Sequence, residues 1–200
     1  MDVLVGKLQT SRHDVTVKLP PMGDRGKFQN INAGLEGVRV DDYDWLLVVD
    51  DDVDLPPDFL DLFLCVAELA DLRICQPAHR FRSYTSWAVT QRIWNSLAHV
   101  THFVECGPIS ALHRSVFPYC LPFTDTRWGW GIDVLWSEIA RQHGFRIGVV
   151  DATPIGHLRE VAESYDRQAA IDEGHQLLAR NNVRRDSRDL MKTVEVIRSF

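Results

Sequence analysis

The run "DWLLVVDDDVD", residues 44–54, constrains the fold more than any other stretch. Its five consecutive apolar residues, 45–49, read as a strand covered on both faces, which places it centrally in a mostly parallel sheet. Directly behind it stand Asp50, Asp51, Asp52 and Asp54. Two carboxylates about 4 Å apart repel by about 4 kcal/mol at an effective dielectric of 20, so this crowding demands a counter-charge. A hard divalent cation, Mn²⁺ or Mg²⁺, is the simplest, since it prefers oxygen ligands and is commonly held by one or two carboxylates while substrate phosphates complete its shell. Capping of the next helix, or exposure to solvent, is the alternative, and it is the one adopted for Asp54 and Asp58.

The remaining pattern alternates between two periods. After Pro56 and Pro57, which suit a helix's first turn, residues 58–70 read as a helix with Asp58 complementing its N-terminal dipole. Residues 73–78 form a second strand, and residues 107–117 another that turns into a helix or loop. Ile132, Leu135, Trp136, Ile139 and Ala140 line one helical face, with Gly144 as the stop. Residues 145–150 give a further strand, ending in Asp151 and followed by His157. Two helical stretches, near residues 165–180 and 187–198, close the chain. Strands alternating with helices predict an α/β sandwich, one domain over residues 1–200.

Charge and composition exclude several partners. With 22 basic and 28 acidic residues, the basic ones scattered, the net charge of -6 offers no footprint for nucleic acid. No apolar run approaches the roughly 18 residues of a membrane span, and the N-terminus lacks a secretory layout, so a cytoplasmic protein without an integral membrane segment is expected. Four cysteines show neither metal-ligand spacing nor the density of a disulfide scaffold. The oligomeric state is not legible.

The Asp50–Asp52 stretch resembles the DxD motif of glycosyltransferases with the GT-A fold, the family-2-like nucleotide-diphospho-sugar transferases. Further pieces come in that family's order. "GKFQNINAGLEG" (26–37) is similar to its Gly-Lys…Asn-x-Ala/Gly-Leu segment, and "GPISALHRSVF" (107–117) to the strand and loop preceding the acceptor site. "RWGWGIDVLWSEIARQHGFRIGVV" (127–150) looks like the acidic helix that carries the catalytic base, and His157 is the final piece. "ICQPA", "FVECGPISALHRSVF" and "WGWGID…GVVDATPIGHL" also resemble GT-A-like domains of unknown function. The match spans residues 26–158. It implies a three-layer sandwich with a mostly parallel central sheet, shortened at its N-terminus, and a C-terminal helical segment over residues 159–200.

The resemblance implies a sugar transferred from a nucleotide-diphosphate donor, UDP- or GDP-linked, to a carbohydrate or other hydroxyl acceptor. Asp50, Asp52 and His157 would hold the metal; Lys27, Asn30, Asn32, Asp50 and Asp51 would meet the donor. Asp133 would be the base, since the attacking hydroxyl must lose a proton to a carboxylate within hydrogen-bonding reach; such a base suits single displacement with inversion. An ordinary N-cap is the alternative for Asp133. Trp128 and Trp130 offer flat faces for a sugar ring, Gly129 and Gly131 permit close backbone approach, and Glu105 and Gly107 adjoin the acceptor. Two other readings stand behind this one. "VVDDDVD" also fits the strand and DxDx[T/V] of haloacid-dehalogenase-like phosphatases, with Asp50 and Asp52 as nucleophile and acid/base, but that family needs a later lysine and only Lys192 follows Asp52. The other is a truncated, non-catalytic module that binds sugar nucleotides.

Overall fold

In a computed structural model of the chain, the residues described are 2–20, 24–160, 165–184 and 187–200. Helices α1 (Asp2–Gln9) and α2 (Lys27–Leu35) precede strand β1 (Trp45–Val49), and a short β2 (Val53–Asp54) leads into α3 (Phe59–Leu69). Strands β3 (Leu72–His79), β4 (Ala98–Thr101) and β5 (Ile109–His113) follow, then α4 (Phe117–Cys120) and α5 (Ile132–His143). Strand β6 (Arg146–His157), helices α6 (Arg167–Arg180) and α7 (Ser187–Leu190), and strand β7 (Thr193–Ile197) complete the chain.

The sheet runs β1-β5-β3-β6-β4-β7, with β2 against the end of β6. Among the described strands β3 and β6 pair in parallel and the other ladders are antiparallel. The class is therefore α/β with a mixed, mostly antiparallel sheet, which corrects the mostly parallel one expected. Strand β1 is likewise at an edge, not in the centre. Its apolar run is nonetheless covered on both faces, since Trp45, Leu47 and Val49 pack against one core while Leu46 and Val48 belong to another. A continuous apolar run reports coverage above and below a strand and says nothing of how many neighbours it has beside it.

Those two cores define three layers. On one face, α1 and α3 pack over the sheet: Phe59, Leu60, Phe63, Leu64 and Ala67 recur at helical spacing and meet Leu72, Cys75, Ile109 and Ala111. Phe63 is fully buried, which is worth about 1.5–3 kcal/mol. On the other face, Phe28 of α2 and Ile132, Trp136 and Ala140 of α5 meet Ile74, Leu112 and Ile147. Gly144 ends α5 at φ 71°, where its lack of a Cβ carries no strain.

The C-terminal third departs from expectation twice. Strand β6 does not stop before Asp151 but continues to His157, shifting register against β3 from Pro77↔Val150 to His79↔Ile155. The helix expected near residues 187–198 is one short turn followed by β7, where Thr193, Val194, Val196 and Ile197 favour extended backbone. No helix among the described residues is long and apolar enough to cross a membrane.

Candidate active site

The ladder directions bring the ends of β1, β3 and β6 and the start of β5 to the same side of the sheet. That rim gathers Asp50 and Asp52 after β1, His79 at the end of β3, Glu105 and Gly107 before β5, and His157 at the end of β6.

Each aspartate behind β1 has its own basic side chain nearby. The Lys27 ammonium lies 2.7 Å from Asp50, and His157 Nε2 lies 3.4 Å from Asp52 Oδ2. Exposed Asp51 is 4.0 Å from Arg159. Asp54 is hydrogen-bonded to Arg80, which holds its carboxyl below the usual range, with Lys7 at 3.5 Å adding to the effect. Lysine or arginine thus offsets Asp50, Asp51 and Asp54, while Asp52 faces an imidazole, all through side chains that the local pattern does not connect. Asp58, expected to help the following helix, precedes it at φ 52° without a side-chain capping bond.

His157 is held from its backbone outward. Its N–H donates to the Ser83 hydroxyl at 2.7 Å, and its Nδ1 lies 3.2 Å from the Tyr84 carbonyl oxygen. A carbonyl only accepts, so Nδ1 carries a proton and Nε2 is the nitrogen turned to Asp52. His79 repeats the arrangement beside it. Fully buried, it has Nδ1 3.3 Å from the same Ser83 hydroxyl and Nε2 3.4 Å from Glu105 Oε2. The two imidazole centroids are 6.1 Å apart. Neither His79 Nε2 nor Glu105 Oε2 has a hydrogen-bond partner among the described residues. His79 and Ser83 escaped sequence reasoning; the one available cue was that His79 directly follows an apolar strand, on the rim where ligands of α/β sheets gather.

Asp133 completes the rim from the other side. It is not the N-cap of α5, a position taken by Gly131, but lies in the first turn, where its Oδ1 accepts from the Val134 N–H at 2.8 Å. Burial pushes its carboxyl up to about 7, opposed by that hydrogen bond and reinforced by the charge of Glu105. Burial also drives the Cys106 thiol well above its usual range, helped by Asp133, Glu105 and Asp50 and opposed by Lys27. For Lys27, burial is the largest influence and acts to lower the pKa, yet the pull of Asp50, Cys106 and Glu105 leaves it raised. These mutual influences place Lys27, Asp50, Glu105, Cys106 and Asp133 in one electrostatic neighbourhood.

The glycine-rich turn before α5 is pressed against its surroundings. At Gly129, φ is 79° and an added Cβ would lie 2.5 Å from the Phe28 ring; at Gly131, φ is 88° and a Cβ would lie 3.1 Å from the Gly174 carbonyl oxygen. Half-buried Trp130 donates its indole N–H to the Tyr165 hydroxyl at 3.0 Å, and Trp128 lies 6.4 Å from the Tyr165 ring. Gly107 sits between the two ends of the Lys27–Asp50 pair, its hypothetical Cβ 3.2 Å from Lys27 Nζ and 3.3 Å from Asp50 Oδ2. The asparagines behave differently from one another. Asn32 is locked at both ends of its amide to the Phe123 backbone, at 2.7 and 2.9 Å, a structural clasp that leaves it little capacity for a donor. Asn30 gives its NH₂ to the Arg25 carbonyl, while its Oδ1 is buried without a partner among the described residues.

Among the described residues, no group of three or more His, Cys, Asp or Glu side chains is gathered closely enough to hold a metal ion alone. The expected trio of Asp50, Asp52 and His157 is not such a group, and Asp50 lies instead 2.7 Å from Lys27. Asp52 and His157 remain side by side as two side chains of metal-ligating type, fewer than a closed protein site needs. No protein-family model matches the chain, and no curated protein matches it.

Proposed function

We propose that this domain is a metal-dependent glycosyltransferase that moves a sugar from a UDP- or GDP-linked donor to a hydroxyl acceptor. The observation that carries this reading is the face-to-face placement of His157 Nε2 and Asp52 Oδ2, 3.4 Å apart, with Nδ1 already committed to the Tyr84 carbonyl. Two acceptor atoms so placed need a proton or a cation between them. Mn²⁺ or Mg²⁺ held there by Asp52 and His157 would offset the charge that develops on the leaving diphosphate. Lys27 sits beside Asp50, able to exchange it for a phosphate oxygen. The acceptor oxygen bonds to the anomeric carbon as the bond to diphosphate breaks, and its proton passes to Asp133. A carboxyl near 7 suits a general base at neutral pH, and a base acting in a single displacement inverts the anomeric centre.

A phosphatase using Asp50 and Asp52 is the second reading, favoured by the Lys27 ammonium at 2.7 Å from Asp50. Its expected later lysine is missing from the rim, for Lys192 pairs with Asp189 instead. The test is a panel of UDP- and GDP-sugars screened for Mn²⁺-dependent thermal stabilisation, beside hydrolysis of a simple phosphate monoester. A donor at 100 times its dissociation constant adds about 2.7 kcal/mol of stability. Stabilisation that persists unchanged in EDTA or in Asp52→Asn contradicts the transferase site, and monoester hydrolysis without donor binding supports the phosphatase. Donor binding without turnover marks a non-catalytic module.

A further inference from the structure

The stretch 72–104 holds no aspartate or glutamate, although the chain has 28 acidic residues. Its middle, residues 80–94, carries Arg80, Arg82 and Arg92 together with Phe81, Tyr84, Trp87 and Trp94. Cations and rings come here in pairs. The Arg82 guanidinium lies 5.5 Å from the Phe81 ring centroid, and that of Arg92 4.7 Å from Trp94. Phe81 is 84% exposed and Trp94 70%, which leaves a large apolar area in water.

Single exposed hydrophobes need no explanation, but the backbone brings these two together. Residues 79 and 91 form a parallel bridge, with the Arg92 N–H donating to the His79 carbonyl oxygen at 3.0 Å, so Phe81 and Trp94 follow two and three residues beyond one point. Tyr84 and Leu158, both exposed, adjoin the candidate site, since the Tyr84 N–H donates to the His157 carbonyl oxygen at 3.3 Å. The other arginines of this rim are already paired. Arg80 is bonded to Asp54 and Arg159 lies 4.0 Å from Asp51, whereas Arg82 and Arg92 have no carboxylate partner among the described residues.

The surface therefore offers uncompensated positive charge beside bare aromatic rings, which asks for a partner that is anionic and also receives apolar groups. Two free cations in a chain of net charge -6 give a polyphosphate no track to follow. Side chains that protrude so far suit a partner that yields to them. A bilayer face with anionic headgroups meets both needs at one boundary: negative charge at its surface, and an interfacial layer that accommodates aromatic rings.

We infer that residues 80–94, with Leu158, form a peripheral contact surface for an anionic lipid bilayer, which would hold the Asp52–His157 pair at the membrane face. The inference is independent of the transferase reading, and its test uses neither metal nor nucleotide.

The full chain is sedimented with vesicles of phosphatidylcholine alone and of phosphatidylcholine carrying about a third phosphatidylserine, in low and in high salt. The expected result is at least tenfold tighter binding to the anionic vesicles, weakened as salt rises. Phe81→Ser combined with Trp94→Ser should lower that affinity at least tenfold, and Arg82→Gln about fivefold. Each variant should keep the far-UV spectrum of wild type, since all three side chains are exposed. Trp94 emission, taken as the difference between wild type and Trp94→Phe, should shift to the blue on the anionic vesicles. No binding to anionic vesicles, equal binding to both kinds, or affinity unchanged in the double variant overturns the inference. Capture by soluble polyglutamate with none on vesicles also overturns it and assigns the surface to an acidic protein.

Discussion

His157 Nε2 faces Asp52 Oδ2 across 3.4 Å at the joint end of β6 and β1, and each residue is held there by backbone as well as side chain: Asp52 accepts the Leu158 N–H at 3.0 Å, and His157 donates its own to Ser83. The backbone at both positions is therefore held without either side chain. His157→Ala should fold normally and weaken Mn²⁺-dependent donor binding at least tenfold, a change of about 1.4 kcal/mol. Titration calorimetry with Mn²⁺ and donor reads this directly, and undiminished affinity would show that His157 is no ligand.

Lys27 and Asp50 make an internal ion pair at 2.7 Å, each about a third exposed or less. In Lys27→Met, Asp50 loses its partner and adds a free carboxylate to the rim. Mn²⁺ should bind the donor-free protein more tightly, while the donor's diphosphate, deprived of a cation, should bind more weakly, each by about 1 kcal/mol. Movement of both affinities in the same direction would contradict the exchange of Lys27 between Asp50 and phosphate.

Asp133 gives a pH dependence of definite sign. Its folded-state pKa of about 7 lies above the ordinary carboxylate value near 3.9, so the native state binds the proton more tightly than the unfolded chain. The stability this supplies is present below about pH 4 and is lost as pH rises through about 7. Asp133→Asn should therefore gain stability relative to wild type across that interval, reaching about 1–3 kcal/mol at pH 8. Urea unfolding at pH 4, 6 and 8 measures it, and a constant difference across the three would place the carboxyl back in the ordinary range.

Away from the rim, His99 and Asp151 form a wholly buried pair at 2.8 Å, with the other His99 nitrogen 2.8 Å from the Val89 carbonyl oxygen. The remaining Asp151 oxygen accepts the Ile93 N–H at 2.8 Å. The pair fastens residues 89–93 to β4 and β6. His99→Ala strands a buried carboxylate and should cost about 3–5 kcal/mol in denaturant unfolding; a loss below about 1 kcal/mol would mean that water or a shifted side chain satisfies Asp151.

The elements legible in the sequence were those with a clear period and a clear stop. Residues 45–49 form β1, residues 59–69 form α3 within the expected span, and α5 ends at Gly144 as its left-handed conformation requires. Strand direction was not legible, because an apolar run looks the same beside a parallel or an antiparallel neighbour. The extension of β6 was hidden by Pro154, which interrupts a strand pattern yet is tolerated where the ladder with β3 shifts register. In the candidate site, the Asp50–Asp52 cluster, Asp133 and His157 stood out by residue type and order. Lys27 beside Asp50, and the Glu105–His79–Ser83 chain, arise from contacts between distant segments, and no local pattern encodes them.

The most direct test of the proposed chemistry is release of nucleoside diphosphate from UDP- and GDP-sugars, with water or an added glycan as acceptor. It is measured for wild type in Mn²⁺ and in EDTA, and for Asp52→Asn and Asp133→Asn in Mn²⁺. The account predicts metal-dependent release, strongly reduced in Asp52→Asn, with transfer in Asp133→Asn down by about 10² to 10⁴-fold at unchanged donor affinity. Release that is equal in EDTA, or that Asp52→Asn and Asp133→Asn both retain at wild-type rates, would contradict it, as would no release from any donor.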